Sequence, residues 1–341
     1  MWSPVEKTAL AEAEVEYEDV VSTQIDVGFE IVDAPNAPEL VGAHAVIWTT
    51  TPWTIPVNQG IAYGEEIDYL LVELQSFEGP DARPGLDPDH YAFLNSLQGK
   101  RFLIAKGLEG AFEDRLSGRA DVSLYLGIQE VGKGSQLAGA TARHPMHKLG
   151  GFFAKPRPFL PADHVTTDAG TGLVHMAPDH GEEDFLVCKA HGIDPVFAVT
   201  GEGKYRDDWL WLGGQGSVIN MKFVSKDGPI CSDLREAGAL LAASDDFKHS
   251  YPHSWRSKAR IIYRCTPQWF IPMDRATTRG VSTALDTNGE GDAAPQPFVP
   301  SEVEGRSNNP TLRDIALNAI AQTRWVPERS TNRIRTMVEG R

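Results

Sequence analysis

The chain has 341 residues, a formal net charge of −15, and 41% hydrophobic and 23% charged residues. That length carries two or three structural units with a sizeable core, and the composition is that of an ordinary globular chain. The acidic balance opposes nonspecific polyanion binding at long range, and no apolar run approaches a membrane span, so no membrane partner is expected.

In chain order, Met1 to Lys7 shows no basic region followed by an apolar core, so no signal peptide is read there. Residues 10–18 alternate apolar and acidic and predict a half-solvated strand, and Thr23 to Val32 predicts a second. After a Pro-containing loop at 33–39, the apolar, β-branched run Ala45-Val46-Ile47 predicts a buried strand ending at Thr49. Strands follow at 60–63 and 68–74. Ser76 to Asp89, rich in Gly, Pro and Asp, reads as a surface insertion. A short helix is expected over His90 to Gln98, then strands at 101–105 and 122–130. Arg143 to Pro161 is loop-like. Strands at 163–167 and 171–176 flank the turn Asp168-Ala169-Gly170. Glu182 to His191 predicts a helix with acids in its first turn and Gly192 as its stop. A helix is expected from Ser232 to Ala243. Residues 278–309 read as an insertion, and Pro310 opens a helix capped by Asn309 and running to Ala321. Cys188, Cys231 and Cys265 lie far apart with no C-x-x-C and suit a reducing compartment, so a cytoplasmic location is expected.

The most unusual stretch is Trp48 to Asn58, Trp-Thr-Thr-Thr-Pro-Trp-Thr-Ile-Pro-Val-Asn. Pro52 cannot donate to a ladder, so Thr49, Thr50 and Thr51 fall at a strand end. Each hydroxyl is one donor and two acceptors, and such a cluster can hold a polar ligand without charge. The string resembles the threonine-rich signature of the editing domain of class I isoleucyl-tRNA synthetases. Valyl and leucyl relatives usually carry Arg where this chain has Thr51. A second string, Gly170-Thr171-Gly172-Leu173-Val174-His175-Met176-Ala177-Pro178-Asp179-His180-Gly181 with Asp184, is similar to the other half of that pocket. A third, Tyr251 to Arg256 followed by Thr266 to Phe270, is similar to the return into the synthetase core.

The resemblance implies an α+β fold: a distorted β-barrel editing domain with flanking helices, inserted on a two-way stalk. Residues 1–35 would be the outgoing stalk, 36–245 the editing domain with its barrel core at about 36–200, and 246–341 the returning stalk. The implied activity is hydrolysis of valine from the tRNA for isoleucine, with valyl-adenylate as a further substrate. Valine evades a site built for isoleucine because one methylene is worth only roughly 1–3 kcal/mol, a known figure for this pair of amino acids. Thr49, Thr50 and Asp184 are the implied catalytic residues. Asp184 would anchor the substrate ammonium, kept ionised by its place in a helix first turn. Thr51, Trp53, Thr54, Asn58, Gly172 and His175 are the implied substrate-binding residues. His175 would bound the side-chain sieve, Thr54 and Asn58 would meet the terminal ribose or backbone, and Gly172 would admit a close approach. The implied partners are the aminoacyl end of the tRNA, the valine moiety and the rest of the synthetase.

Two departures stand out. Many members of the family hold a structural zinc with Cys pairs on the two stalk arms. Here Ser3, Glu6, Ser254 and Ser257 stand in those places, so no zinc is expected. His-Ile-Gly-His and Lys-Met-Ser-Lys-Ser do not occur. ATP and Mg would therefore belong to a synthetic domain outside this sequence, which reads as the middle of a longer enzyme. No cofactor is expected for editing.

Two other functions compete. A metal-dependent hydrolase could use His175, Asp179, His180, Asp184 and His191, although Pro178 and Gly181 break any common helical face. A non-catalytic tRNA-binding or stalk module could use the cations Lys248, Arg256, Lys258, Arg260 and Arg264 and the arginines of 324–341.

Overall fold

The computed structural model describes residues 1–78, 88–118, 122–266, 272–274, 310–326 and 330–339. Contacts divide the chain into two units, Met1–Thr266 and Pro267–Arg341.

The first unit opens with a small hairpin, β1 (Trp2–Ser3) and β2 (Thr8–Ala9). β3 (Val15–Asp33) follows as one strand of 19 residues, where the sequence predicted two. Residues 12–14 before it form a 3-10 turn. The alternation at its start reflects exposure: residues 15–21 are half-buried or open, whereas Ser22–Ile31 sink into the sheet. Next come β4 (His44–Thr49), β5 (Gly60–Tyr63), β6 (Asp68–Glu78), α1 (Pro88–Leu97), β7 (Arg101–Ala105), α2 (Glu109–Ser117) and β8 (Ser123–Lys133). β9 (Thr141–Arg143), β10 (Arg157–Pro161), β11 (Leu173–Met176), α3 (Glu182–Ala190), α4 (Met221–Val224), α5 (Pro229–Glu236) and β12 (Leu240–Ser254) complete the unit.

All but the first two strands form one ten-stranded sheet in the order β11-β5-β10-β9-β3-β4-β7-β6-β8, with β12 also paired to β3. The α+β class is as expected. The barrel is not closed by pairing among the described residues, because β11 and β8 remain end strands. The sheet nevertheless folds back on itself. Ala105 N–H at the end of β7 donates to the Thr171 carbonyl just before β11 at 2.8 Å. The Thr171 hydroxyl donates to the Val46 carbonyl of β4 at 2.5 Å. The core fills the inside of this curl, with Ile25, Val27, Phe29, Ile47, Ile61 and Leu103 fully or almost fully buried.

Three further expectations change. The loop expected over Arg143 to Pro161 ends in β10, whose Phe159, Leu160 and Pro161 pair in parallel with β5 while Arg157 and Pro158 pair with β9, so its prolines do not keep it out of the sheet. The helix at 232–243 stops at Glu236, because Gly238 takes a left-handed φ of 69° and releases Leu240 and Leu241 into β12. No strand forms at 163–167, and the predicted 171–176 strand begins at Leu173, since Thr171 and Gly172 turn their bonds to the seam. Residues 278–309 and Asn309 lie outside the described residues. In the second unit, α6 (Leu312–Gln322) is capped by Thr311, whose hydroxyl accepts from Asp314 N–H, and α7 (Ser330–Glu339) follows.

Candidate functional site

A cavity of about 440 Å³ opens at the seam of the sheet. One wall is the end of β4 and the turn after it: Trp48, Thr49, Thr50, Thr51 and Thr54. The other is the loop 168–172, β11 with His175, and Gly181 and Asp184 at the start of α3. Two strings more than a hundred residues apart meet because β11 pairs with β5, which follows the threonine turn directly.

The threonines form a hydrogen-bonded row. Thr51 N–H donates to Thr49 Oγ1 at 3.1 Å, and the two hydroxyls are also 3.1 Å apart. Thr54 Oγ1 lies 2.8 Å from the Thr51 carbonyl and 2.9 Å from His175 Nε2. A carbonyl only accepts, so the single hydroxyl proton of Thr54 goes there. His175 must then donate from Nε2–H, which fixes the tautomer. Its Nδ1 is a lone pair without a partner among the described residues. Burial, aided by nearby His180, pushes the His175 pKa down to about 4, so the ring is neutral near pH 7. Thr54 is therefore spent on orienting His175, and it is itself only 5% exposed.

Asp184 Oδ2 accepts from Ala177 N–H at 2.8 Å, which turns the carboxylate back toward the end of β11. Glu182 and Glu183, beside it in the first turn, point to solvent. The helix position was expected to keep Asp184 ionised. Burial wins instead and raises its pKa, against the opposing Ala177 N–H and His164. A cation entering the cavity would reverse that cost.

Trp53 and Asn58, expected at the ligand, stand behind the wall. Trp53 is 5% exposed and meets His180 edge-on at 4.7 Å. Asn58 is fully buried and donates to the Gly60 carbonyl at 2.8 Å. Gly172 lines the cavity, but its glycine character answers to packing. Its φ is 74°, and a Cβ would come within 2.2 Å of the Ala105 Cβ.

Sequence reasoning missed His164, Thr166 and Asp168 on the cavity wall and assigned His180 only to a metal. It also missed Arg115. From α2, Arg115 reaches Asp26 of β3 with bonds of 2.6 and 3.1 Å and the Gly170 carbonyl at 3.1 Å. Asp26 is fully buried, and desolvation pushes its pKa up despite the guanidinium. Arg115 thus ties the loop wall to the sheet.

The metal-hydrolase ligand set does not assemble. Both Asp179 oxygens accept backbone N–H groups, from Val196 at 2.9 Å and Phe197 at 2.6 Å. His180 donates through Nδ1 to the Tyr263 carbonyl at 2.7 Å, and His191 is exposed on α3's end. Among the described residues no three His, Cys, Asp or Glu side chains come together to hold a metal. Cys188 and Cys231 are buried thiols whose pKa values burial pushes up to about 12, so neither is a nucleophile.

Fold and site together define an α+β domain with a hydroxyl-lined cavity that carries one half-buried carboxylate, Asp184. The family model described as tRNA synthetases class I (I, L, M and V) matches residues 1–341, and the chain belongs to that family. The isoleucine–tRNA ligase of Zymomonas mobilis is 52% identical over 341 residues, covering 100% of this chain and 30% of that protein. The isoleucine–tRNA ligase of Agrobacterium fabrum is 40% identical over 358 residues, with 100% and 31% covered. The chain thus spans about a third of the length of these relatives. The editing domain of the P. knowlesi cytosolic leucyl-tRNA synthetase has 12% identity, coverage of 49% of this chain and 62% of that one, and a TM-score of 0.34.

Proposed function

We propose that this chain is the editing domain of an isoleucine-specific synthetase and hydrolyses the ester of valyl-tRNA for isoleucine. The observation that carries it is the single cavity that joins Thr49, Thr50 and Thr51 to His175 and Asp184. Asp184 anchors the α-ammonium of the aminoacyl group by a charge-assisted contact. The threonine hydroxyls hold the ester and its attacking water, and the substrate's own ribose hydroxyl shares that role. The ribbon of β3 and β12 carries the domain away from the rest of the synthetase and back. The basic stretch after β12 is partly committed to local contacts: Lys258 pairs with Glu16, and Arg260 stacks on Tyr251. That favours a catalytic domain over a module that only binds tRNA.

The test is deacylation of valyl-tRNA for isoleucine by this chain, with isoleucyl-tRNA as control. Release of valine with isoleucine spared is expected. Binding of the tRNA without release of valine would leave the non-catalytic module as the better description.

His175→Ala should act on selectivity. The neutral ring walls the cavity where the substrate side chain ends, and its removal makes room for the extra methylene. Discrimination against isoleucyl-tRNA is expected to fall by roughly 10–200-fold, the worth of one methylene. If isoleucyl-tRNA remains spared in this variant, the sieve wall lies elsewhere, with Thr51 the next candidate.

A further inference from the structure

The two arms at the base of the ribbon carry the same turn twice. In the first, Lys7 N–H donates to the Ser3 carbonyl at 2.8 Å, and in the second Lys258 N–H donates to the Ser254 carbonyl at 2.8 Å. Lys7 has φ 54° and Lys258 φ 57°, a left-handed conformation uncommon outside glycine. In each turn the backbone N–H three residues on reaches back to the first side chain. Glu6 N–H meets Ser3 Oγ at 3.2 Å, and Ser257 N–H meets Ser254 Oγ at 3.5 Å. The turns face each other: the Ser254 hydroxyl lies 2.9 Å from both Glu6 carboxylate oxygens. Ser3 and Ser254 are fully buried. Around this contact the arms also share two backbone bonds between Trp2 and Ile262, at 2.8 and 2.9 Å.

Ser3-x2-Glu6 and Ser254-x2-Ser257 have the C-x2-C spacing of a pair of metal knuckles, and in each the first side chain is met by the backbone N–H three residues on. The donors themselves do not fit zinc. Structural zinc takes thiolates and imidazoles, whereas three of these four groups are neutral hydroxyls. The Ser254 proton is already directed at the carboxylate. We propose that the knuckle pair is retained as a backbone frame, with the Glu6 carboxylate and its serine hydroxyls replacing a metal as the link between the arms. A carboxylate accepting from a hydroxyl is a charge-assisted bond, stronger than a neutral one. It holds two segments some 250 residues apart in sequence at the point where the ribbon begins.

The proposal has two consequences that a merely degenerate turn would not have. The chain should need no metal for this link, and the frame should accept one if its donors are restored. The experiment uses the full chain, expressed with added zinc and purified without chelator. Metal analysis should find zinc far below one per chain, and EDTA should leave the melting temperature unchanged. Glu6→Ala should lower the melting temperature by roughly 2–5 °C. A variant with Ser3→Cys, Glu6→Cys, Ser254→Cys and Ser257→Cys should bind one cobalt(II) per chain with the visible bands of a tetrahedral thiolate site, which the parent should not show. Stoichiometric zinc in the parent, with melting lowered by EDTA, would overturn the proposal. So would Glu6→Ala melting with the parent, or a folded four-cysteine variant without tetrahedral cobalt. If that variant does not fold, the parent's metal content and the Glu6→Ala melt still decide.

Discussion

Asp184→Ala is expected to slow deacylation of valyl-tRNA for isoleucine by roughly 10²-fold or more, since on the proposed reading loss of the amine anchor lets the ester slide away from its water. The fold should survive, because Asp184 is only half-buried and, among the described residues, makes one backbone bond, to Ala177 N–H. Loss of that bond costs about 1 kcal/mol, too little to unfold a domain of this size. Asp184→Asn separates the charge from the hydrogen bond to Ala177. It keeps an oxygen for Ala177 and should lose most of the activity all the same. The pH profile gives a second reading. Burial raises the Asp184 pKa, and only the ionised form attracts an ammonium. The value of kcat/KM should therefore fall on acidification, beginning at a higher pH than an ordinary aspartate would give. This limb should vanish in Asp184→Asn. His175, with a pKa of about 4, is neutral across the neutral range and adds no limb there. Deacylation by Asp184→Ala at the parent rate would show that the amine is anchored elsewhere.

Arg115→Ala is expected to destabilise the first unit by about 3–5 kcal/mol, read as a lower urea midpoint with an unchanged slope. The pair it breaks is asymmetric: the Asp26 side chain is 0% exposed and that of Arg115 is 19% exposed. Removing the guanidinium leaves a buried carboxylate with no counter-charge and frees the Gly170 carbonyl. Replacing both residues together, Asp26→Leu with Arg115→Leu, should cost less than Arg115→Ala alone, because desolvation opposes the pair even when intact. The pH dependence has a definite sign. Asp26 has a folded pKa raised by burial, so its ionisation opposes folding, and the opposition grows as pH rises through that pKa. Without Arg115 the folded pKa rises further, so the deficit of Arg115→Ala should narrow as pH falls. A deficit independent of pH, or no deficit at all, would mean that Asp26 is not carrying an unpaired charge in the variant. Because Arg115 also holds the 168–172 loop, variants that still fold should show a raised KM for valyl-tRNA.

Much of the local structure could be read from the residues. The strands at 45–49, 60–63 and 101–105 are short apolar runs bounded by Pro, Gly or charge, and they form where the pattern puts them. α3 starts after Gly181 and ends before Gly192, with its acids in the first turn. The errors fall where long-range partners decide. Leu240 to Ala243 follow a good helix sequence but gain more from pairing with β3, after Gly238 lets the chain turn. Residues 10–18 and 23–32 read as two strands because their exposure differs, yet the backbone is continuous.

The sequence by itself determined part of the chemistry of the cavity. It supplied three adjacent threonines at a strand end, a histidine on an apolar strand, and an aspartate at a helix start. These follow from residue type and spacing along the chain. It also determined the knuckle spacing and its lack of thiols. Tertiary structure alone decided which groups face the ligand space. Trp53 and Asn58 lie in the same motif as the threonines, and only the direction of the turn after β4 puts them behind the wall. Tertiary structure alone brought Arg115 to Asp26, 89 residues away, and the Gly172 turn against Ala105. It also reversed the expected pKa shift of Asp184. Its position in the helix is a local property, whereas its desolvation depends on which segments pack over it, and burial there outweighs the helix dipole.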